Sequence, residues 1–317
     1  MDWFGAGSSG LMIARAFHFA ATAVTAGSLI FGTTVARPAL LSKVAEARSF
    51  RTQIFAVAWV CLAIAVASGV SWFLFQAVAM SGVPLGEVIG SDVWSTVLKE
   101  TQFGRVSQLR IALAVTLAVC LAGARYAAAD WLALSAALGL TVAIAWTGHA
   151  GSTSGEIGNL HLIADGLHLV AAAAWIGGLV PLVLLLVCAQ RTPSAAWARL
   201  VAGTLTRFST LGIVSVLTLL ATGTINAWIL VGSIQALAAT DYGRLLMLKI
   251  VVFAAMLAFA ALNRLWLTPR LVSSSEDESQ VEVMRQLTRN SAIEIGLGFT
   301  IFVIVGMLGT MHPAIHL

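Results

Sequence analysis

Eight apolar runs, each long enough to cross a bilayer, constrain this chain more than any other feature. They cover roughly residues 10–36, 52–80, 105–123, 131–149, 160–189, 205–232, 243–267 and 290–311. A spanning helix needs about 20 predominantly apolar residues. Lipid offers no hydrogen bonds to an open backbone, so runs of this kind must be helical. The third and fourth runs are joined by an Ala-rich stretch around Arg125 and Asp130. Together they would make a helix of about 45 residues, far too long for a single span. The expected fold is therefore an all-α membrane protein with eight transmembrane helices.

Composition closes off the alternatives. The chain is 59% apolar and 10% charged, against roughly 25% charged in soluble domains. A soluble protein so built could not cover its own surface, and the expected surroundings are a lipid bilayer. The sequence pI is near 9.3 and the net charge +4. The basic residues sit in short loops between apolar runs, which marks them as topology determinants and excludes a nucleic-acid surface. The first ten residues carry no basic cluster, so the first run is expected to be a span and not a cleaved signal. Cys61, Cys120 and Cys188 lie far apart in apolar runs and suggest no disulfide framework. They read as small buried hydrophobes, with exit-side Cu(I) ligation as the alternative.

Orientation follows from the Lys/Arg distribution. The first, third, fifth and seventh loops hold Arg37, Lys43, Arg48, Arg51, Arg125, Arg191, Arg199, Arg207, Arg264, Arg270, Arg285 and Arg289. The even loops hold few basic residues and the acids Glu87, Asp92, Glu100, Glu156 and Asp241. The odd loops are therefore expected in the cytoplasm, with both termini outside. Arg105 and Arg110 run against this rule at the outer start of the third helix. Trp72, Trp146 and Trp228 near outer ends, and Trp266 near an inner end, read as an interfacial belt.

The two halves of the chain repeat. Ala14 to Ala21, around His18, resembles Ala164 to Ala171, around His168. Ala67-Ser68-Gly69 through Trp72 resembles Ala221-Thr222-Gly223 through Trp228. Thr101 to Arg110 resembles Thr240 to Lys249, and Trp146 to His149 resembles Leu308 to His312. Four matches in one order imply a four-plus-four duplication, residues 1–150 and 151–317. Four helices per unit is even, so the two units form a parallel repeat about an axis along the membrane normal.

This topology places all six histidines on or near the outer side. His18 and His168 lie about 12 Å down the first and fifth helices, at 1.5 Å per residue. His149, His161, His312 and His316 cluster at outer helix ends. His161, Asp165 and His168 share one helix face by their i, i+4, i+7 spacing. Arg15 stands three residues before His18 as Asp165 stands three before His168, and the symmetry suggests an ion pair between them. Several imidazoles in a low-dielectric setting suit a metal ion such as copper, zinc or iron, and thioethers such as Met311 select Cu(I). A single membrane histidine serves equally well as an interhelical hydrogen-bonding group. Glu294, one turn into the eighth helix from the cytoplasm, reads either as a proton or ion site or as a carboxylate favoured by the helix dipole.

The run Ala172-Ala173-Ala174-Trp175-Ile176-Gly177-Gly178-Leu179 after His168, the segment Tyr242-Gly243-Arg244 to Lys249, and the ending Gly309-Thr310-Met311-His312-Pro313 resemble the CopD/PcoD copper-resistance membrane proteins. The resemblance covers essentially the whole chain. It implies a multi-pass protein of the bacterial inner membrane, periplasmic termini, copper ion as cargo and a periplasmic carrier of the CopC type as partner. The wider superfamily includes haem-binding membrane proteins related to HemJ. The expectation is copper transport or handling, by import from the periplasm, with His18, His168, His149, His161, His312, Met311 and His316 as metal ligands and Arg15 and Asp165 in support. The alternative is a membrane redox protein holding haem b or copper and acting with quinol. No enzymatic activity is expected under the first reading. A homo-oligomer is left open. The chain carries no GxxxxGK[ST] loop, so transport would need a gradient, the membrane potential or ligand exchange.

Overall fold

In a computed structural model of the chain, eight helices among the described residues are long and apolar enough to cross a membrane. The structure describes residues 6–40, 45–123, 127–273 and 277–316. No strand occurs among them. Lys43, Arg125 and residues 274–276 of the acidic patch lie outside the described residues, as does the side chain of His316.

The spanning helices are α1 (Ser9–Val35), α2 (Ala45–Ser81), α3 (Gln102–Ala122), α4 (Ala128–Thr147), α5 (Gly155–Arg191), α6 (Ala196–Val231), α7 (Asp241–Leu271) and α8 (Gln280–Leu308). Each expected run is found. Several helices are longer than their apolar runs, above all α2 and α5 with 37 residues and α6 with 36. At 1.5 Å per residue that is about 55 Å, well beyond a hydrocarbon core of about 30 Å. The extra turns carry charged residues such as Glu46, Arg48 and Arg51, which hydropathy excludes from a span although they continue the helix.

Local chemistry sets the helix starts. The hydroxyl of Thr101 accepts from the Gly104 amide at 2.9 Å, and that of Thr240 from the Gly243 amide at 3.0 Å. These N-caps begin α3 and α7 and satisfy amides that have no partner within the helix. Ser194 caps α6 in the same way. The far end of α6 stops at Gly232, whose φ of +74° is open to glycine at little cost.

Contacts between helix ends sort the bundle into two poles. At one pole, His149 reaches the Leu308 carbonyl, Gly10 faces the Phe75 ring, Gln102 bonds the Gly151 carbonyl and Gly232 faces Ile315. The start of α1 and the end of α8 both lie here, at what we term the histidine end. At the opposite, arginine end, Arg207 bonds the Val35 carbonyl, Arg51 pairs with Asp130, and Arg264 bonds both the carbonyl and the hydroxyl of Ser209.

The core runs along α1 and α5, the two most enclosed spans. They touch at Gly27 and Gly177, where a side chain on either residue would run into the partner's backbone. Small residues at such a crossing let two membrane helices pack backbone to backbone. Helices α2, α4 and α8 pack around α1, α6 packs against α5, and α7 leans chiefly on α8. Almost none of the apolar window of α7 is buried.

Candidate functional site

His18 and His168 hang on the two central helices, and each turns toward its own neighbour. His18 Nδ1 lies 2.8 Å from the Ala65 carbonyl of α2. A carbonyl only accepts, so Nδ1 carries the proton and Nε2 keeps its lone pair. The Thr22 hydroxyl lies 3.3 Å from that Nε2. His168 Nδ1 lies 2.9 Å from the Thr222 hydroxyl of α6, and Thr222 itself donates to the Thr218 carbonyl at 2.6 Å. The hydroxyl proton is committed, so His168 must donate through Nδ1. His161 is held in the same manner. Its Nδ1 lies 2.9 Å from Thr153 Oγ1, which donates to the His149 carbonyl at 3.0 Å. Three imidazoles therefore keep Nε2 unprotonated, the tautomer that suits a histidine for metal ligation, although at His18 that nitrogen already faces the Thr22 hydroxyl.

The surroundings of the two deeper histidines differ. His18 is enclosed, with Trp72 at 5.4 Å between ring centroids and Gly69 against its edge. Arg15 and Arg110 both lie over the Trp72 ring, each 5.0 Å from its centroid. Both guanidiniums are over nine-tenths buried, and Arg15 Nε with Arg110 Nε and Nη2 have no hydrogen-bond partner. No acid pairs with them among the described residues. Cation–π attraction offsets part of the cost of burying each charge. The electropositive surroundings oppose a second cation at His18.

His168 is half-buried and opens into a cavity of about 530 Å³ between α5, α6 and α7. Its walls include Gly223, Trp228, Lys249 and Phe253. Asp165 Oδ1 accepts from Asn226 Nδ2 at 3.3 Å. Lys249 acts electrostatically on both Asp165 and His168. A cation and an anion thus flank this histidine, whereas two cations flank His18.

The expected ion pair between Arg15 and Asp165 is not formed. Arg15 stacks on Trp72 and Phe19, and Asp165 takes Asn226. Each side chain follows its own histidine toward a different helix pair. Trp72 is also not a belt residue: it is 1% exposed and sits in the core, while Trp146, Trp228 and Trp266 are exposed as expected. The misplaced Arg110 of the charge rule is accounted for, since it points into the bundle and not toward a loop.

The outer histidines divide further. His149 Nε2 reaches the Leu308 carbonyl at 3.3 Å, and its ring lies 6.1 Å from that of Tyr242. His161 is fully buried and in electrostatic range of His149. Met311 packs with Leu308 and Tyr242 as apolar filling, and His312 is exposed. Among the described residues, no three His, Cys, Asp or Glu side chains come together as a metal-holding group. Helix direction puts the histidines at one end, but rotation about each helix axis separates them. The cysteines do not meet either; Cys188 donates to Gln53 Oε1 at 3.2 Å. Lys249 was the residue missed. A lysine inside the apolar run 243–267 is the signal that could have found it, because an intramembrane charge marks a functional position.

Comparison with known proteins agrees with this architecture. The family model described as copper resistance protein D matches residues 202–308, and that of the copper resistance protein D-like N-terminal domain matches residues 6–159. The chain is 30% identical over 300 residues to the inner membrane protein YebZ of Escherichia coli (strain K12), covering 94% of this chain and 97% of that protein. It is 29% identical over 269 residues to the copper resistance protein D of Pseudomonas syringae pv. tomato, covering 83% and 84%. It is 31% identical over 178 residues to the copper transport protein CutJ of Bacillus subtilis (strain 168), covering 56% of this chain and 30% of that protein.

Proposed function

Because this chain belongs to the copper resistance protein D family, we propose that it is a copper-handling protein of the bacterial inner membrane that admits copper ions from the periplasm. The observation that carries this reading is the fixed tautomer of His168 and His161, whose Nδ1 protons are committed to hydroxyl relays. Copper would approach at the histidine end past His149 and His161, with His312, Met311 and His316 as peripheral donors. It would be held deeper at His168, where Asp165 supplies negative charge. His18 is the weaker of the two deep ligands because Arg15 and Arg110 stand beside it. The histidine end faces the periplasm in this reading, as the arginine-rich opposite end suits the cytoplasm. An inside-negative potential favours cation entry by about 2.3 kcal/mol per charge per 100 mV. A separate periplasmic carrier of the CopC type would deliver the ion.

The four-plus-four duplication is part of this reading. It is supported by matched placements: His18 with Ser68 and Gly69, His168 with Thr222 and Gly223, and Arg110 with Lys249 near the same histidines. The duplicated site has diverged, one copy toward cations on an aromatic ring and the other toward an open cavity.

That cavity favours a second reading. A copper ion needs no 530 Å³ of mostly apolar space, whereas a haem b would use it. The unprotonated Nε2 of His168 could hold the iron, Gly223 leaves the ring edge uncrowded, and Lys249 could meet a carboxylate. Bound haem would supply one-electron redox chemistry.

Purified protein decides between the two. Under the copper reading, stoichiometric copper is bound, falls on His168→Ala, and enters proteoliposomes loaded with wild type but not with the variant. A strong Soret band with no bound copper would sink it.

A further inference from the structure

The arginine end holds a second buried polar centre, without histidine. Glu294 on α8 is 2% exposed. Its Oε1 accepts from Asn263 Nδ2 at 2.7 Å, and Asn263 Oδ1 accepts from Asn290 Nδ2 at 3.0 Å. The indole of Trp175 lies beside the same carboxyl group. No cation pairs with Glu294 among the described residues. An ionised carboxylate so enclosed and without a countercharge is costly, and intramembrane acids of this kind are kept for a task.

Two further observations say what that task is. A cavity of about 250 Å³ reaches Glu294, bordered by Ser209, Asn263, Arg264 and Ser291. Its walls are mostly apolar, but Ser209, Asn263, Arg264, Thr268, Ser291 and Glu294 give it polar groups, and it is wide enough for several waters beside them. Two π-helical segments deliver the partners of the carboxyl group: Ala173–Gly177 carries Trp175, and Asn263–Leu267 begins with Asn263. Such wide turns recur at functional sites inside otherwise regular helices.

We propose that Glu294 is a proton-exchanging site, loaded and unloaded through this cavity from the arginine end. The donors around it are oxygen and amide groups, which do not suit soft Cu(I). Arg264 lines the same cavity and opposes the residence of a metal cation, whereas protonation leaves the Glu294 carboxyl group neutral. Arg264 is the other charged residue of that lining; α1, α5, α6 and α7 bring no acid, lysine or histidine to it among the described residues. Arg289 on α8 itself is exposed. The carboxyl group takes its proton from cavity water and returns it there. Coupling of this proton to copper movement rests on the function proposed above; the protonation itself does not.

Infrared spectroscopy of the reconstituted protein tests this. The carboxylic C=O band is followed through a pH titration in wild type, Glu294→Gln and Asp165→Asn. A titrating band that is present in wild type and Asp165→Asn and lost in Glu294→Gln is expected. A carboxylic titration left unchanged by Glu294→Gln overturns the site. If Glu294→Gln does not fold, Asn263→Leu replaces it: the carboxyl group is intact but has lost its donor, so the titration must shift, and an unchanged titration overturns the proposal. Copper binding by Glu294→Gln should stay within twofold of wild type. Copper that fails to bind wild type would defeat the copper reading while leaving the infrared result standing.

Discussion

His168 donates its Nδ1 proton to Thr222 Oγ1 across 2.9 Å, joining two of the helices that frame the 530 Å³ cavity. The contact fixes both the tautomer and the ring plane. Thr222→Val keeps the shape and removes the acceptor, so the ring loses its anchor. Losses of this outer-shell type reduce metal affinity by about 10–100-fold. Equilibrium copper binding should show that drop for Thr222→Val and near-normal affinity for Thr222→Ser. Equal affinity in all three proteins would mean that the relay has no part in binding.

At the crossing of α1 and α5, backbone meets backbone. A methyl group on Gly27 would enter the Ala173 carbonyl and the backbone of Gly177. Gly27→Ala should destabilise the protein by about 1–3 kcal/mol or more, since backbone cannot yield as a side chain does. Gly32→Ala is the control, because its nearest neighbour is an Ile54 methyl at an ordinary 3.6 Å. Thermal melting in one detergent compares the pair; similar losses from both would argue against a special crossing.

Arg110 carries a buried charge with two orphaned nitrogens. Replacing it by an apolar side chain of similar length removes a desolvation cost that one aromatic ring offsets only in part. Arg110→Met is expected to melt at or above the wild-type temperature, with a gain of about 1 kcal/mol. A clear fall in melting temperature would show that the guanidinium has a strong partner in the native protein.

At the arginine end, Arg51 Nη2 reaches both oxygens of Asp130 at 3.1 and 3.0 Å. The side chains remain 39% and 30% exposed, so solvent screens the pair. A double-mutant cycle with Arg51→Gln and Asp130→Asn should return a coupling below about 1 kcal/mol, and less at high salt. A coupling of several kcal/mol would place this pair out of reach of water.

Which runs become spans was legible in the sequence, and rotation was not. The apolar runs located every span, and the polar start of α2 was missed only because Glu46, Arg48 and Arg51 continue a helix beyond the hydrocarbon. The common end of the histidines could be read from helix direction. Which way each side chain faces depends on packing, and there the reading failed. Trp72 sits at belt height yet points inward. Arg15 and Asp165, expected to pair, are turned toward Trp72 and Asn226 instead. Lys249 was visible as a charge within an apolar run, but its place beside His168 needed the fold of α7 against α5 and α6.

Helix α7 carries Lys249 and closes one side of the His168 cavity, while most of its own surface is left to acyl chains. The cavity is therefore walled in part by a helix whose outer face is open to whatever surrounds the protein. Extraction exchanges lipid for surfactant along that face, so the micelle borders the cavity that the proposed function uses. Affinities measured in micelles and in nanodiscs should be treated as properties of two different assemblies.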